Sequence, residues 1–348
     1  MKGRYHTAGL LVASAFVVSF VGPQPARAGF SLGEAANFAV LYEGNKGNEL
    51  QFNTSSIVDG NIGIGCGVTS AGATTTAPCS STTTGKFDGS GPGTITGTVE
   101  FEAANYGGSQ LSDSGLNITG GVTYDAASSA GTTNSGYVYS GLNTVNALSK
   151  SLGNEAGKAL TINTNNQTHS QSLTASSGTL DASGDDVFTT TVSSFAAGTT
   201  LTITGTSSQY VVLNVSGTAN FDGRIVLSGG ITSDHVLINI DAGNYSTLTG
   251  GQTLTIDANC SSQSCATSGT FLDPNGDIQI NTSVIDGRVF GGDTQDISLM
   301  CGAAIYEPTA YTPEPSYYVL MGLSLTMVAV AYRRKSIRSQ EATPNPVL

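Results

Sequence analysis

Two oxygen-rich patterns in this 348-residue chain are chemically suggestive. Asp273-Pro274-Asn275-Gly276-Asp277 puts two carboxylates and an amide into one tight turn, a donor set that suits Ca²⁺. Ordinary turn chemistry accounts for the same residues. Gly291-Gly292-Asp293 with Asp296 is a weaker version of it. The second pattern is threonine at alternate positions. Thr200, Thr202 and Thr204 flank Leu201 and Ile203, and Thr253 and Thr255 flank Leu254. A period of two turns the apolar residues inward and the threonines outward. Ranks of outward threonine on a flat sheet order water, although threonine is also a good solvent-facing strand residue in its own right.

All five cysteines lie in the middle of the chain. Cys66 with Cys79 would close a Thr/Ser-rich loop, and Cys260 with Cys265 would staple the Ser-rich tip of a hairpin. Local pairs are the simplest reading in an oxidising compartment. Cys301 is left over. A zinc site finds little support, because the histidines are only His6, His169 and His235 and no Cys-x-x-Cys occurs. No cofactor is expected. No enzyme is expected either, since Gly-x-Ser-x-Gly, Ser-x-x-Lys and His-Glu-x-x-His are all missing. Asp185-Asp186 is a pairing that any acidic chain contains.

The ends carry addresses rather than chemistry. Lys2 and Arg4 precede an apolar run from Ala8 to Val21, then Ala26-Arg27-Ala28. These are the three parts of a secretory signal, with cleavage expected after Ala28 to leave Gly29 first. The Sec translocon and a signal peptidase are the implied partners. At the other end Pro313-Glu314-Pro315 precedes the apolar run 317–332, and Arg333, Arg334, Lys335 and Arg338 follow at once. A run of that length is a short membrane span that flanking Tyr and Arg extend by snorkelling. The basic cluster belongs on the cytoplasmic side, with the preceding domain outside the inner membrane.

Between the ends, from residue 28 to 332, six Lys and Arg stand against 24 Asp and Glu, a charge near −18. Such a surface repels nucleic acid and anionic lipid, so no nucleic-acid partner is expected.

The elements that must position these residues are mostly strands. Short apolar or alternating runs occur at 37–42, 57–64, 94–101, 116–124, 201–204, 210–215, 235–240, 253–256 and 278–280, separated by Gly-containing turns. One window differs. Val138, Leu142, Val145, Leu148 and Leu152 step by four and three, which marks one face of a helix over 137–152. Stacked coils would bury the single apolar side of each strand in a continuous core. The expected fold is mainly β, an irregular, discontinuous β-helix with one long flanking helix, and a β-sandwich is the alternative. The segment 65–93 is expected to be a surface loop.

Two resemblances sharpen this. The Pro-Glu-Pro, short span and Arg-rich end resemble the PEP-CTERM sorting signal, also called the ice-binding protein C-terminal domain. That implies a Gram-negative producer of exopolysaccharide and processing by an exosortase, a membrane Cys protease-transpeptidase. The tail departs from the pattern in continuing from Ser339 to Leu348. The second resemblance is to the ice-binding-protein-like and choice-of-anchor β-helix families. It rests on Leu32-Gly33-Glu34-Ala35-Ala36-Asn37-Phe38-Ala39-Val40-Leu41, Ile57-Val58-Asp59-Gly60-Asn61-Ile62-Gly63, Thr94 to Val99, Tyr210 to Val215, His235 to Ile240 and Val284 to Val289. It implies a right-handed helix of coils.

The domains are then a signal at 1–28, a β-solenoid at 29–309, and a sorting segment at 310–348. The chain reads as a non-enzymatic exported protein, held at the inner membrane before sorting and then at the cell surface or in the extracellular matrix. A structural or adhesive role is expected, with exopolysaccharide as a partner. The alternatives are an ice-binding protein, with Thr200, Thr202, Thr204, Thr253 and Thr255 as its face, and a calcium- or glycan-binding surface protein.

Overall fold

The computed structural model describes residues 29–44, 48–53, 55–66, 85–102, 110–124, 136–160, 170–190, 193–216, 219–240, 253–274, 276–292 and 296–308. Within them the strands pair almost entirely in parallel, each with a strand one coil away. The single antiparallel pair joins Thr179–Leu180 to Asp185–Thr190. Antiparallel hairpins of a sandwich are therefore not what these residues build. The fold is mainly β, with one long helix and parallel ladders, consistent with a β-helix.

The chain visits three faces in turn. Face one stacks Lys158–Ala159, Asp185–Thr190, Tyr210–Val215, Val236–Ile240, Thr267–Asp273, Val284–Gly291, Val40–Tyr42, Ile62–Ile64, Val99–Phe101 and Val122–Tyr124 in that spatial order. Face two stacks Ser193–Phe195, Ala219–Phe221, Thr253–Ile256, Asp277–Asn281, Ile297–Met300 and Glu49–Phe52, then the first parts of Lys86–Ile95 and Leu111–Ile118. Face three begins with Gln171–Thr174, Thr200–Thr204 and Arg224–Ser228. It continues through the starts of Thr267–Asp273 and Val284–Gly291 to Ala304–Tyr306, Ile57–Asp59 and the ends of the two long strands. Between its two parts the Ile225 amide donates to the Thr267 hydroxyl at 2.8 Å, a side chain standing in for a ladder bond.

This order explains the irregular strand spacing in the sequence. The last coil, Val284 to Tyr306, lies beside the first, Val40 to Asp59. Coils built before the helix run one way from this junction, and coils built after it run the other. The helix Tyr137–Gly153 carries the chain between the two groups.

Sequence pattern follows face. Residues of all three faces that point inward form one continuous core, among them Val40, Tyr42, Phe52, Phe87, Leu213, Phe221, Ile238 and Phe271. Each large apolar side chain buried this way contributes about 1.5–3 kcal/mol. Face one is apolar on its outer side too. Leu41, Val187, Val212, Leu237, Leu272 and Phe290 pack under Val138, Leu142, Val145 and Leu152 of the helix. A sheet covered on both sides needs continuous apolar runs, which is why Tyr210–Val215 does not alternate. Faces two and three alternate because their outer sides meet solvent.

Two expectations are corrected. The segment 65–93 is not loop throughout, because Lys86–Ile95 is a strand, with a register shift between Ser90 and Gly93. Its glycines and proline hide the alternation from a sequence reading. The cysteine pair is not at a hairpin tip. Cys260 and Cys265 are bridged, with Cα atoms 5.8 Å apart. Their loop packs Ala258, Cys260, Cys265 and Ala266 on Val284, Ala304 and Ile57, capping the outer side of face three.

Candidate functional site

The alternating threonines of Thr200–Thr204 do point outward. Leu201 and Ile203 are fully buried, while all three threonines are partly exposed. Both neighbouring strands match them without a register shift. Ser172, Thr202 and Val226 stand side by side, as do Thr174, Thr204 and Ser228, while Thr200 stands beside Arg224. The Thr204 and Ser228 hydroxyls lie 2.8 Å apart and hydrogen-bond each other. The result is a small grid of hydroxyls and methyl groups. Neighbouring strands repeat at about 4.8 Å, and outward residues on one strand repeat at about 6.8 Å. No aromatic ring stands on it, and its charge is confined to Arg224.

Thr253 and Thr255 do not join this grid. Their strand follows a face-one strand by one corner and so lies on face two, where Thr255 sits between Asn220 and Gln279. The row continues through Ser298, Gln51, Asp88 and Ser112. Charges crowd it. Lys86 pairs with Glu49 at 3.4 Å, Asp296 accepts the Glu49 amide at 2.8 Å, and Asp277 accepts from Gln279 at 2.6 Å. The expected five-threonine face is thus two separate surfaces. Alternation shows which residues point outward, but not which corner the strand lies beyond. Ser172, Thr174, Val226 and Ser228 were missed because their strands are too short, or too mixed, to show a period.

Of the calcium turn, Asp273 and Asp277 lie within the described residues. Asp273 is buried, and burial followed by the charge of Asp277 pushes its carboxyl well above the usual range. Asn275 lies outside the described residues. Among the described residues no group of three His, Cys, Asp or Glu could hold a metal ion. Cys66 is disulfide-bonded, while Cys79 lies outside the described residues. Cys301 is free and exposed. Ala26, Ala28, Pro313, Glu314, Pro315, Arg333, Arg334 and Lys335 also lie outside, and no helix among the described residues is long and apolar enough to cross a membrane. A shallow depression of about 790 Å³ beside the helix is lined by Tyr139, Asn143, Thr144 and Leu148 among others, with no carboxylate, histidine or cysteine among the described residues that line it.

No family model and no curated protein matches the chain. Among solved structures, an ice-binding protein from the Antarctic ascomycete Antarctomyces psychrotrophicus is 12% identical, covering 81% of this chain and 100% of that one, with a TM-score of 0.41. An ice-binding protein with antifreeze activity from an Arctic yeast is 16% identical, covering 83% and 98%, with a TM-score of 0.44. An ice-binding protein from an Antarctic Flavobacteriaceae bacterium is 13% identical, covering 83% of this chain and 51% of that one, with a TM-score of 0.47. These neighbours are named for ice binding, the alternative reading, and not for the structural or adhesive role expected from the sequence.

Proposed function

We propose that the β-coil domain binds ice through the face centred on Thr200–Thr204. The observation that carries this is the unshifted parallel grid of Ser172, Thr174, Thr200, Thr202, Thr204, Val226 and Ser228. A solid surface is recognised by many weak contacts made at once, so its receptor has to be flat, repetitive and already ordered. Parallel strands stacked on a close-packed core supply that order before contact, which spares the entropy of arranging side chains. Hydroxyls supply hydrogen bonds, and methyl groups keep the water between them from being held too tightly. The other surfaces suit ice less well. Face one lies under the helix, face two carries Glu49, Lys86, Asp88, Asp277 and Asp296, and the middle of face three lies under the disulfide loop.

The export signal and the Pro313-Glu314-Pro315 tail belong to the same reading, since they would put the domain outside the cytoplasm, where ice forms. Thermal hysteresis and inhibition of ice recrystallisation by the exported chain test the proposal. Activity that Thr202→Tyr removes, with the circular dichroism spectrum unchanged, is the expected result. A wild-type chain without either activity overturns it.

A further inference from the structure

We propose that the α-ammonium freed at Gly29 by removal of residues 1–28 is the counter-ion of a buried acidic site made by Asp185, Asp181 and Glu155. The site lies at the start of a face-one strand and not on the hydroxyl grid of face three, and the proposal rests on the cleavage after Ala28 expected from the sequence. Three strands of geometry converge there. The Gly29 nitrogen lies 3.0 Å from the Ser183 carbonyl oxygen, and the next amide, Phe30, donates to Asp185 Oδ1 at 3.0 Å. The Asp185 amide in turn donates to Asp181 Oδ1 at 2.6 Å, which folds residues 181–185 around the incoming chain.

The carboxylates at this point are under-satisfied. Asp185 is fully buried. Asp181 and Glu155 are half-buried and share a hydrogen bond between their carboxyl groups, while Asp185 Oδ2, itself buried, has no hydrogen-bond partner. Among the described residues none of the three has an ion-pair partner. Burial and the Asp181 charge raise Asp185 to about 6, even with the Phe30 amide lowering it, and burial, the Asp181 charge and the hydrogen bond with Asp181 raise Glu155 to about 7. A buried acid left like Asp185 is costly. With the leader attached, the Gly29 nitrogen is an amide with one proton, and Ser183 takes it. After cleavage the same atom carries three protons and a positive charge, one residue from the amide that bonds the Asp185 carboxylate.

The residue type at this position fits the role. Gly29 has φ +59°, and a Cβ there would lie 2.3 Å from Tyr210 Cγ. Only glycine lets the backbone settle against that ring, which is itself held edge-on by Phe30 at 5.6 Å. The ring beside the ammonium adds a further favourable contact for a cation.

The test compares three forms of the exported chain: one starting at Gly29, the same chain acetylated on the Gly29 nitrogen, and one retaining Ala28. N-terminal sequencing of the natively exported protein comes first, and a start other than Gly29 overturns the proposal. The Gly29 form is expected to melt several degrees higher at pH 7 than the other two. Its α-amino pKa, followed by NMR on selectively labelled glycine, is expected at least one unit above the ordinary value of about 8. Asp185→Asn should return that pKa to the ordinary range. If Asp185→Asn does not fold, Asp181→Asn and the acetylated form, which changes no side chain, decide the question. Equal melting points for the three forms, or an ordinary α-amino pKa in the Gly29 form, overturn the proposal.

Discussion

Asn239 donates from Nδ2 to Asn214 Oδ1 across 2.9 Å, and the two asparagines are register partners on adjacent face-one strands. Asn239 also donates to the Ser149 carbonyl at 3.1 Å and accepts from the Ser149 hydroxyl, while Asn214 donates to the Leu152 carbonyl at 2.7 Å. This short polar ladder ties the end of the helix to the coils beneath an otherwise apolar interface. Asn239 is fully buried, so Asn239→Ala strands the Asn214 and Ser149 groups as well as removing its own bonds. The expected loss is about 2–4 kcal/mol. Urea unfolding of the variant checks it, and an unchanged midpoint contradicts it.

The placement of the ice face makes a sharper claim than activity alone. Thr202 and Thr255 are both partly exposed threonines in mid-strand, but they stand on different faces. Thr202→Tyr should cut thermal hysteresis at least tenfold, because a ring at the centre lifts the whole grid off a flat surface. Thr255→Tyr should leave it within a factor of two. Tyrosine is a good strand residue, so neither change should disturb the sheet. The reverse order of effects would move the site to face two.

Much of this fold was legible in the sequence, for a physical reason. Short strands with one apolar side and a helix with a 3–4 spacing follow directly from side-chain periodicity, and Tyr137–Gly153, Tyr210–Val215 and Thr253–Ile256 lie within a residue of where that periodicity puts them. What periodicity cannot carry is the assignment of strands to faces, because that depends on which corner each turn makes. Thr202 and Thr255 look equivalent in sequence and are not neighbours in space. Nor does it show long-range partners. Phe30 and Asp185 lie 155 residues apart and meet through one amide. Asp185-Asp186 reads in sequence as an ordinary acidic pair, yet burial makes Asp185 unusual.

Stability should fall as pH rises from about 4 to about 7. The folded chain holds Asp185 near 6 and Glu155 near 7, raised chiefly by burial and then by Asp181. Asp222, Asp273, Asp277, Asp286 and Glu307 are raised as well. In this window the folded state keeps protons that the unfolded state has released, so stability is greatest below the unfolded pKa values and is lost as pH passes through the folded ones. Asp186, Tyr210, Asp234 and His235, whose ring packs on Tyr210, also face this region. The slope should be steepest in the acetylated form and shallower when Gly29 is free. Urea midpoints at pH 4.5 and 7.5 measure it, and a midpoint that rises across that range contradicts it.

The loop closed by Cys260 and Cys265 gives the last prediction. Six residues in a closed loop correspond to about 2 kcal/mol of stabilisation in the chain-entropy account. The loop also covers Val284, Ala304 and Ile57, so opening it exposes an apolar strip on the outer side of face three. The double variant Cys260→Ser with Cys265→Ser should therefore cost more than closure alone, about 3 kcal/mol, since two partly buried hydroxyls replace an apolar bridge. It should also raise the binding of a hydrophobic dye under native conditions. The hydroxyl grid lies on the other part of face three and shares none of these side chains, so thermal hysteresis should be retained below the melting point. Loss of hysteresis in a variant that remains folded would mean that the disulfide loop, and not the Thr200–Thr204 grid, contacts ice.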